Sequence, residues 1–291
     1  MSPNVTQLFR YPIKSMGGHA LEEITLTTKG IPGDRAWALK DEERGGIKGG
    51  KRFPELLGMQ ARFTSEPSAQ SISPEVQITL ADSNRVSSSD HNVNTVLSAA
   101  VGAQVSLWPL LPEDQLEHYR RPPMEQGVDP EAYFREVFAR NPDEPLPDLS
   151  AFPEELFIYE SSPGTYFDAF PILLMSEASL RYFNETMAAS GDGAKFDLRR
   201  FRPNIVVETE ESGFPENAWV GRRGQLGSAI VKVEVVCPRC VMTTHGFEDL
   251  PKDPKIMRHL VKENGGNLGV YLSVEQAGSL KLGDTIHWLA S

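Results

Sequence analysis

A strand-like run that ends in a proline places the strongest constraint on how this chain can fold. Residues 229–236 are mostly apolar and rich in β-branched valine, which predicts a β-strand. Pro238 bars the run from continuing as an ordinary central strand and helps the chain to turn. The sequence therefore places residues 237–244, Cys-Pro-Arg-Cys-Val-Met-Thr-Thr, at the end of a strand.

This segment holds both cysteines of the chain, Cys237 and Cys240, with Arg239 between them. A neighbouring cation stabilises a thiolate, which suits metal ligation or nucleophilic attack. The ordinary alternative for either cysteine is a small, buried apolar side chain. A thioredoxin-like pair should begin a helix, which Val-Met-Thr-Thr does poorly, and a structural zinc site needs a second ligand pair that the sequence lacks. One metal-binding or redox thiol is therefore the sharper hypothesis.

Composition limits the classes of partner and location. The chain has 291 residues with 29 basic and 40 acidic side chains, a formal charge of −11, which argues against nucleic acid or an anionic membrane as the main partner. Two cysteines provide no disulfide framework, so we expect a cytoplasmic location. The sequence begins without a basic segment followed by an apolar run, and no apolar stretch reaches about 18 residues, so we expect neither a signal peptide nor a membrane span.

Short strands separated by turn residues characterise the N-terminal part, which favours an antiparallel barrel or sandwich. Helices alternate with strands further along, so the predicted fold class is mainly β with α (α+β). We expect an N-terminal domain over residues 1–111, an acidic, proline-rich linker or lid over 112–165, and a second domain over 166–291. Strands are predicted at 5–10, 21–27, 35–39, 105–109, 172–175, 205–209, 229–236, 268–273 and 285–289, and helices at 92–101, 130–140, 177–189 and 253–262.

Several residues at predicted strand ends have side chains that could bind an anion. Lys14, Ser15 and Arg35 combine an ammonium, a hydroxyl and a guanidinium, which suits a phosphate, although solvated surface charge is the ordinary alternative. Arg202 precedes a proline and is a further candidate, with a structural ion pair as its alternative. Ser176 is placed to cap the helix at 177–189, where free amides could also hold an anion.

Two further groups carry weaker signals. Lys48, Lys51 and Arg52 lie among glycines, which predicts a mobile basic loop that could screen a pocket opening but is more typical of a solvated loop. His245 could be a ligand or an acid–base group, although an ordinary loop histidine is more common.

A series of short motifs extends over nearly the whole chain. In order, the motifs are Tyr11-Pro-Ile-Lys-Ser15, Gly33-Asp-Arg-Ala-Trp37, Arg52-Phe-Pro-Glu-Leu56, Ser176-Glu-Ala-Ser-Leu180, Phe201-Arg-Pro-Asn204, Cys237-Pro-Arg-Cys-Val-Met-Thr-Thr244, Asn267-Leu-Gly-Val-Tyr271 and Gly283-Asp284. Together they resemble a MOSC-domain protein, in which MOSC denotes the molybdenum-cofactor sulfurase C-terminal domain, with its usual N-terminal β-barrel domain.

Within that family the chain is most similar to the amidoxime-reducing enzymes and their bacterial relatives. The resemblance implies a β-barrel MOSC domain, a smaller β-barrel-like N-terminal domain and a molybdenum cofactor, a pterin dithiolene that carries molybdenum. It implies Cys240 as the catalytic residue and the molybdenum ligand. The residues that it implies for binding the pterin or its phosphate are Lys14, Ser15, Arg35, Ser176, Arg202, Asn204, Arg239 and Cys240.

The resemblance implies a molybdenum-dependent oxidoreductase that reduces N-hydroxylated small molecules. A plant-type iron–sulfur domain needs four cysteines, whereas this sequence has two. Electrons would therefore come from an external ferredoxin-like or flavoprotein-like donor. Two alternatives stay open: a sulfur carrier with a persulfide on Cys240 or Cys237, and a carrier that delivers molybdopterin. Pro238 stands where relatives can have a serine, and the 112–165 segment is longer than in simple relatives.

Overall fold

The computed structural model describes residues 2–68, 70–124, 126–191 and 193–290. The strands are β1 (Asn4–Arg10), β2 (His19–Leu21), β3 (Glu23–Leu26), β4 (Trp37–Asp41), β5 (Ile47–Lys48), β6 (Gln60–Phe63), β7 (Val76–Thr79), β8 (Arg85–Ser87), β9 (Val105–Pro109), β10 (Ile172–Ser176), β11 (Ile205–Glu208), β12 (Arg223–Leu226), β13 (Ala229–Pro238), β14 (Asn267–Gln276), β15 (Gly278–Lys281) and β16 (Ile286–Trp288). The helices are α1 (Val93–Val101), α2 (Leu116–Tyr119), α3 (Pro130–Val137), α4 (Glu155–Ile158), α5 (Glu177–Ser190) and α6 (Lys255–Asn264), with 3₁₀ turns at Pro54–Gly58, Leu198–Arg200, Pro215–Trp219 and Val241–Thr244.

The predicted α+β fold class is confirmed. An eight-stranded sheet in the order β16-β12-β13-β14-β10-β11-β1-β2 curls into a half-barrel. Its pairs are antiparallel apart from β10 and β11, which run parallel. Smaller sheets have the orders β5-β4-β9, β6-β7-β8 and β15-β3.

Strands from the first 30 residues complete the large sheet. In the pairing of β1 with β11, Val5 lies opposite Val207 and Leu8 opposite Ile205. The core under this sheet is consequently shared by both ends of the chain, and its buried members include Val5, Leu8, Ile24, Leu26, Ile205, Val207, Val231, Val270 and Leu272. A second core lies within the N-terminal part, between α1 and the two three-stranded sheets.

Some element boundaries differ from those predicted. The predicted strand at 21–27 is divided, because β2 pairs with β1 whereas β3 pairs with β15. Strand β4 begins at Trp37 rather than at Arg35, whose φ of 49° is incompatible with a strand. Strand β13 continues through Pro238, but its register with β14 shifts between Val236 and Pro238, which accommodates a residue that lacks an N–H.

Several contacts fasten the 112–165 segment to the rest of the molecule, among them Glu160 with Lys48, Phe152 with Tyr271, and two arginine contacts near the turn before β14. The buried Arg140 donates from Nη2 to the carbonyl of Gly265 at 3.1 Å, and its guanidinium fills the space where a side chain on Gly266 would lie. Arg258 in α6 donates to the Ala139 carbonyl and pairs with Glu144. The role of this segment as linker or lid stays a prediction, as do the domain boundaries at 111 and 165.

Across the part of the chain that is described, we find no helix of the length and apolar character that crossing a membrane requires.

Candidate functional site

Most of the predicted site residues lie near strand ends, three of them in the large sheet and one in the β5-β4-β9 sheet. Lys14 and Ser15 follow β1, Arg35 precedes β4, Asn204 precedes β11, and Cys240 follows β13. Three predicted site residues have a left-handed backbone conformation: φ is 69° at Ser15, 49° at Arg35 and 56° at Arg202. Non-glycine residues adopt this conformation at a cost, so such residues tend to cluster at functional sites.

Two arginines stack on the ring of Tyr11. The guanidinium carbons of Arg35 and Arg202 lie 4.6 and 4.2 Å from the ring centroid. The Tyr11 hydroxyl donates to the carbonyl of Pro203 at 3.0 Å, and burial raises the pKa of Tyr11 to about 12, so the ring stays neutral. Cation–π contacts of this kind gain strength when they are desolvated.

The two arginines differ in their hydrogen-bond partners. Arg35 pairs closely with the buried Asp34 and donates to Asn204 Oδ1 at 3.1 Å. Burial disfavours the charge of Arg35, but Asp34 and then Tyr11 outweigh it and raise its pKa. Asn204 Oδ1 also accepts from the Leu173 amide at 3.2 Å, which connects these residues to β10. We call the residues described in this subsection, Tyr11, Lys14, Ser15, Asp34, Arg35, Asp168, Arg202, Asn204 and Cys240, the cluster.

Arg202 lacks the carboxylate partner that Arg35 has. Its Nη2 is buried and, among the described residues, has no hydrogen-bond partner. Burial, and next the charge of Arg35, lower the pKa of Arg202 to about 10. Since a buried cation without a partner is costly, a ligand that brings negative charge would relieve this arrangement.

A lysine–aspartate pair lies beside the arginines. Lys14 Nζ donates to the Tyr166 carbonyl at 2.8 Å and to Asp168 Oδ1 at 2.7 Å. The Lys14 side chain is 10% exposed and that of Asp168 is 50% exposed, so the carboxylate lies on the solvent side of the pair. Burial favours the protonated form of Asp168, but Lys14 and Lys51 outweigh it and hold its pKa well below the usual range.

Ser15 connects the lysine to a glycine loop and to the cysteine segment. Its Oγ accepts from the Gly50 amide at 2.8 Å and lies 3.9 Å from Met242 Sδ. The pair Gly49 and Gly50 can approach this closely because neither has a Cβ. Lys51 follows this loop and is exposed.

The two cysteines lie in opposite environments. Cys240 is partly exposed, and its carbonyl accepts from the amide and the hydroxyl of Thr243 at 3.1 and 3.0 Å, which fixes the backbone there. Cys237 is 1% exposed, and burial raises the pKa of its thiol. Arg239 donates to Cys237 Sγ at 3.0 Å and to the Phe201 carbonyl at 2.6 Å, so its guanidinium supports the residue before Arg202.

Ser176 is not brought into contact with the cluster. Its amide lies on β10 opposite Val207, while Asn204 precedes the other end of β11. The Ser176 hydroxyl donates to the buried Glu216 at 2.6 Å and accepts from the Ser179 amide at 3.1 Å. The predicted helix cap is therefore confirmed, whereas a contact with a cofactor stays a prediction without structural support.

Sequence reasoning missed residues that complete the site. Tyr11 and Asp34 lie inside the quoted motifs, so their place next to predicted residues was the available signal. Asp168 carried none beyond its position just before a buried strand. Lys51 was predicted as a solvated loop lysine, and the paired glycines before it were the signal for a close backbone approach.

The cluster offers cations and hydroxyls rather than a set of metal ligands. Within the described ranges we find no group of three or more His, Cys, Asp or Glu side chains that could hold a metal ion. The donors suit an oxyanion such as a phosphate, with one accessible thiol nearby.

Family models match most of the chain. The MOSC domain matches residues 162–287, and the MOSC N-terminal beta barrel domain matches residues 2–107. Both matches include residues of the cluster, with Lys14 and Arg35 in the N-terminal one and Cys240 in the other.

Named relatives are similar over long alignments. Mitochondrial amidoxime reducing component 2 of Bos taurus is 26% identical over 306 residues, which cover 97% of this chain and 82% of that protein. Mitochondrial amidoxime-reducing component 1 of Xenopus laevis is also 26% identical over 306 residues, covering 97% and 81%. Molybdenum cofactor sulfurase of Oryza sativa subsp. japonica is 26% identical over 256 residues, covering 80% of this chain and 27% of that protein.

Solved structures include the YUAD protein from Bacillus subtilis, with a TM-score of 0.43 and 12% identity over 99% of this chain and 96% of the other. YiiM from Geobacillus stearothermophilus has a TM-score of 0.31 and 20% identity over 42% and 55% of the two chains. The family is carried by the two domain matches and the order of the motifs. The chain belongs to the MOSC-domain proteins that carry an N-terminal MOSC β-barrel domain.

Proposed function

We propose that this protein is an oxidoreductase that uses a molybdenum cofactor to reduce N-hydroxylated small molecules, with Cys240 as the thiolate ligand of the metal. The observation that carries the proposal is the convergence of Lys14, Ser15, Arg35 and Arg202 beside one accessible thiol in a MOSC-domain chain. Relatives named for amidoxime reduction support the choice of reaction.

The residues present fit a phosphorylated pterin. Among the described residues, the buried Arg202 has no hydrogen-bond partner for Nη2, so its guanidinium can accept the charge of a phosphate. Arg35, which pairs with Asp34, would lie beside it. Ser15 could add a hydroxyl, and Asn204 keeps Arg35 oriented through its 3.1 Å hydrogen bond. Arg239 would act by supporting the Phe201 carbonyl, and thereby the backbone that places Arg202.

Cys240 fits the role of a metal ligand because it is accessible and its backbone is fixed by Thr243. When bound, the cofactor would supply the two-electron redox centre at this thiol. The overall reaction replaces an N–OH group by N–H and releases water, and it consumes two protons and two electrons. We propose that the electrons come from an external donor protein of ferredoxin or flavoprotein type.

The other residues of the site would shape the field in which the substrate binds. Asp168 stays ionised because Lys14 donates to it at 2.7 Å, so it would accept a hydrogen bond rather than deliver a proton. The neutral Tyr11 keeps both arginines in place. The free cysteines support a reducing, cytoplasmic location as part of the proposal.

Turnover of benzamidoxime with a chemically reduced dye tests the proposal. We expect the wild-type protein, loaded with cofactor, to form benzamidine. Cys240→Ser should lose most of this activity, whereas Cys237→Ala should keep it because Cys237 is buried away from solvent. Full activity in Cys240→Ser with molybdenum still bound would overturn the role of the thiolate.

Sulfur transfer is a second candidate, supported by the similarity to a molybdenum cofactor sulfurase. A relay would pass a persulfide between Cys240 and Cys237, and the 1% exposure of Cys237 disfavours it. If the protein transfers sulfur by this relay, Cys237→Ala would abolish the sulfur transfer, and mass spectrometry would detect a persulfide on the wild-type protein. A molybdopterin carrier would bind the cofactor but reduce no N-hydroxylated compound.

A further inference from the structure

We propose that Lys51 binds an anionic group of the substrate, so that the preferred substrates are N-hydroxylated compounds that carry a carboxylate. This inference rests on the proposed function and names the substrate class of the same site. It is based on the fixed position of Lys51, on its lack of a partner and on the charges around it.

The position of Lys51 is fixed by the backbone before it. The Gly50 amide donates to Ser15 Oγ at 2.8 Å, and a Cβ on Gly50 would lie 2.8 Å from Met242 Sδ. The amides of Arg52 and Phe53 both donate to the Gly49 carbonyl at 2.9 Å, which makes the loop a tight turn. Lys51 therefore leaves a backbone held between the Lys14–Ser15 turn and the segment that follows Cys240.

The ammonium group of Lys51 is available to a ligand. No hydrogen bond or ion pair of its Nζ occurs among the described residues, and the side chain is exposed. Asp168 is the carboxylate that acts most on Lys51, but its ion pair is with Lys14, at 2.7 Å. The side chain of Asp168 is exposed as well, so solvent reaches both groups.

Neighbouring basic side chains on the same loop already have partners. Glu160 is shared by Lys48 and by Arg121, whose Nη1 lies 3.0 Å from it. Asp41 accepts from Arg52 Nε at 3.3 Å. Among the described residues, Lys51 thus adds a positive charge that has no hydrogen bond or close ion pair, in a chain whose net charge is −11, and it would attract an anionic ligand locally.

Lys51 directly follows Gly50, which lies against Met242, two residues after Cys240. Asp168 raises the pKa of Lys51 most, burial opposes this, and Cys240 raises it further, so the group stays charged at all working pH values. The pKa values of Tyr11 and Arg202 are shifted by each other and by Arg35 and Asp34. Neither Lys51 nor Cys240 is among the main charges that shift them. A phosphate held by the arginines therefore leaves Lys51 free to meet a substrate that approaches Cys240.

The test compares benzamidoxime with 4-carboxybenzamidoxime, which differ by one carboxylate, in the molybdenum-loaded protein. We expect the wild type to prefer the carboxylate. In Lys51→Met, kcat/KM for 4-carboxybenzamidoxime should fall about five- to tenfold, mainly through KM, while that for benzamidoxime changes less than about twofold. Lys281→Met, which removes an exposed lysine of β15, should change neither value.

Calorimetric titration with 4-carboxybenzamidine, the reduced product, gives a readout that needs no turnover. Tighter binding by wild type than by Lys51→Met, without reduction of either amidoxime, would reject the reductase but keep the anion site. Equal effects of Lys51→Met on both substrates, or equal titrations, would overturn the inference while the reductase stands. Loss of molybdenum or pterin in Lys51→Met would also overturn it, because Lys51 would then hold the cofactor.

Discussion

Arg200 and Arg202 are both buried and two positions apart, but they differ in their hydrogen bonds. Arg200 donates to the carbonyls of Thr243, His245 and Pro251 at 3.2, 2.8 and 2.7 Å, and so links the 3₁₀ turn at Leu198–Arg200 to the segment after Cys240. Arg202 stacks on Tyr11 and leaves Nη2 without a partner in the described chain. Arg200 therefore links two segments of the chain, whereas we propose that Arg202 binds the cofactor.

We predict that Arg202→Met lowers pterin occupancy at least about tenfold but leaves the stability of the cofactor-free protein unchanged or raised, since an unpaired buried cation is costly. Arg200→Met should instead destabilise the cofactor-free protein by about 2–4 kcal/mol, because one buried and two partly buried carbonyls lose their donor. Pterin fluorescence after oxidation and denaturant unfolding measure the two effects. Equal destabilisation by both variants would show that Arg202 is structural.

Motifs predicted the identity of most cluster residues but not their mutual contacts. Arg35 and Asn204 are 169 positions apart, and their hydrogen bond depends on the pairing of β1 with β11, which no local pattern encodes. The place of Tyr11 between two arginines follows from the same long-range pairing. Ser176 shows the converse, since a local capping pattern predicted its helix correctly but not the buried Glu216 that takes its hydroxyl.

Helix α5 begins over a buried carboxyl group. Glu216, in the 3₁₀ turn at Pro215–Trp219, accepts from Ser176 Oγ at 2.6 Å and from Ser179 Oγ at 2.7 Å. Burial raises the pKa of Glu216, although these hydroxyls oppose the shift. A raised pKa in the folded protein means that the protonated carboxyl stabilises the fold below the unfolded pKa and that this stabilisation is lost as the pH rises through the folded pKa.

We therefore predict that the difference in Tm between wild type and Glu216→Gln becomes less favourable to wild type as the pH rises from about 5 to about 8. Glutamine keeps the shape but does not titrate. A constant Tm difference across this pH range would indicate that Glu216 has the same pKa in both states.

At the scale of the molecule, the N-terminal strand and the second half of the chain share one core. Leu8 is fully buried with Ile205, Val270 and Leu272, and β1 closes the sheet beside β11. The boundary at residue 111 is predicted from a change in composition. Composition contains no information on strand pairing, so it could not indicate that β1 pairs within a sheet formed mostly by residues beyond 170. The strand pattern of residues 5–10 predicted an element but could not identify its partner.

We predict that Leu8→Ala lowers the stability of that shared unit by about 2–5 kcal/mol, since it leaves a cavity in a packed core. Intrinsic fluorescence of Trp219, a buried member of this core, should report the shifted transition when Trp37 and Trp108, which lie outside this core, are replaced by phenylalanine in every variant. Leu97→Ala, in the separate core around α1, serves as the matched variant. If Leu8→Ala leaves the Trp219 transition unchanged, the N-terminal strand does not fold with the second half.

The content of molybdenum and pterin tests the central claim most directly. The wild-type protein and Cys240→Ser would be purified from a host that makes the molybdenum cofactor and is shown to load another molybdenum enzyme. We predict about one molybdenum per wild-type chain together with a fluorescent pterin product, and loss of the metal in Cys240→Ser. Wild-type protein that contains neither molybdenum nor pterin would contradict the account.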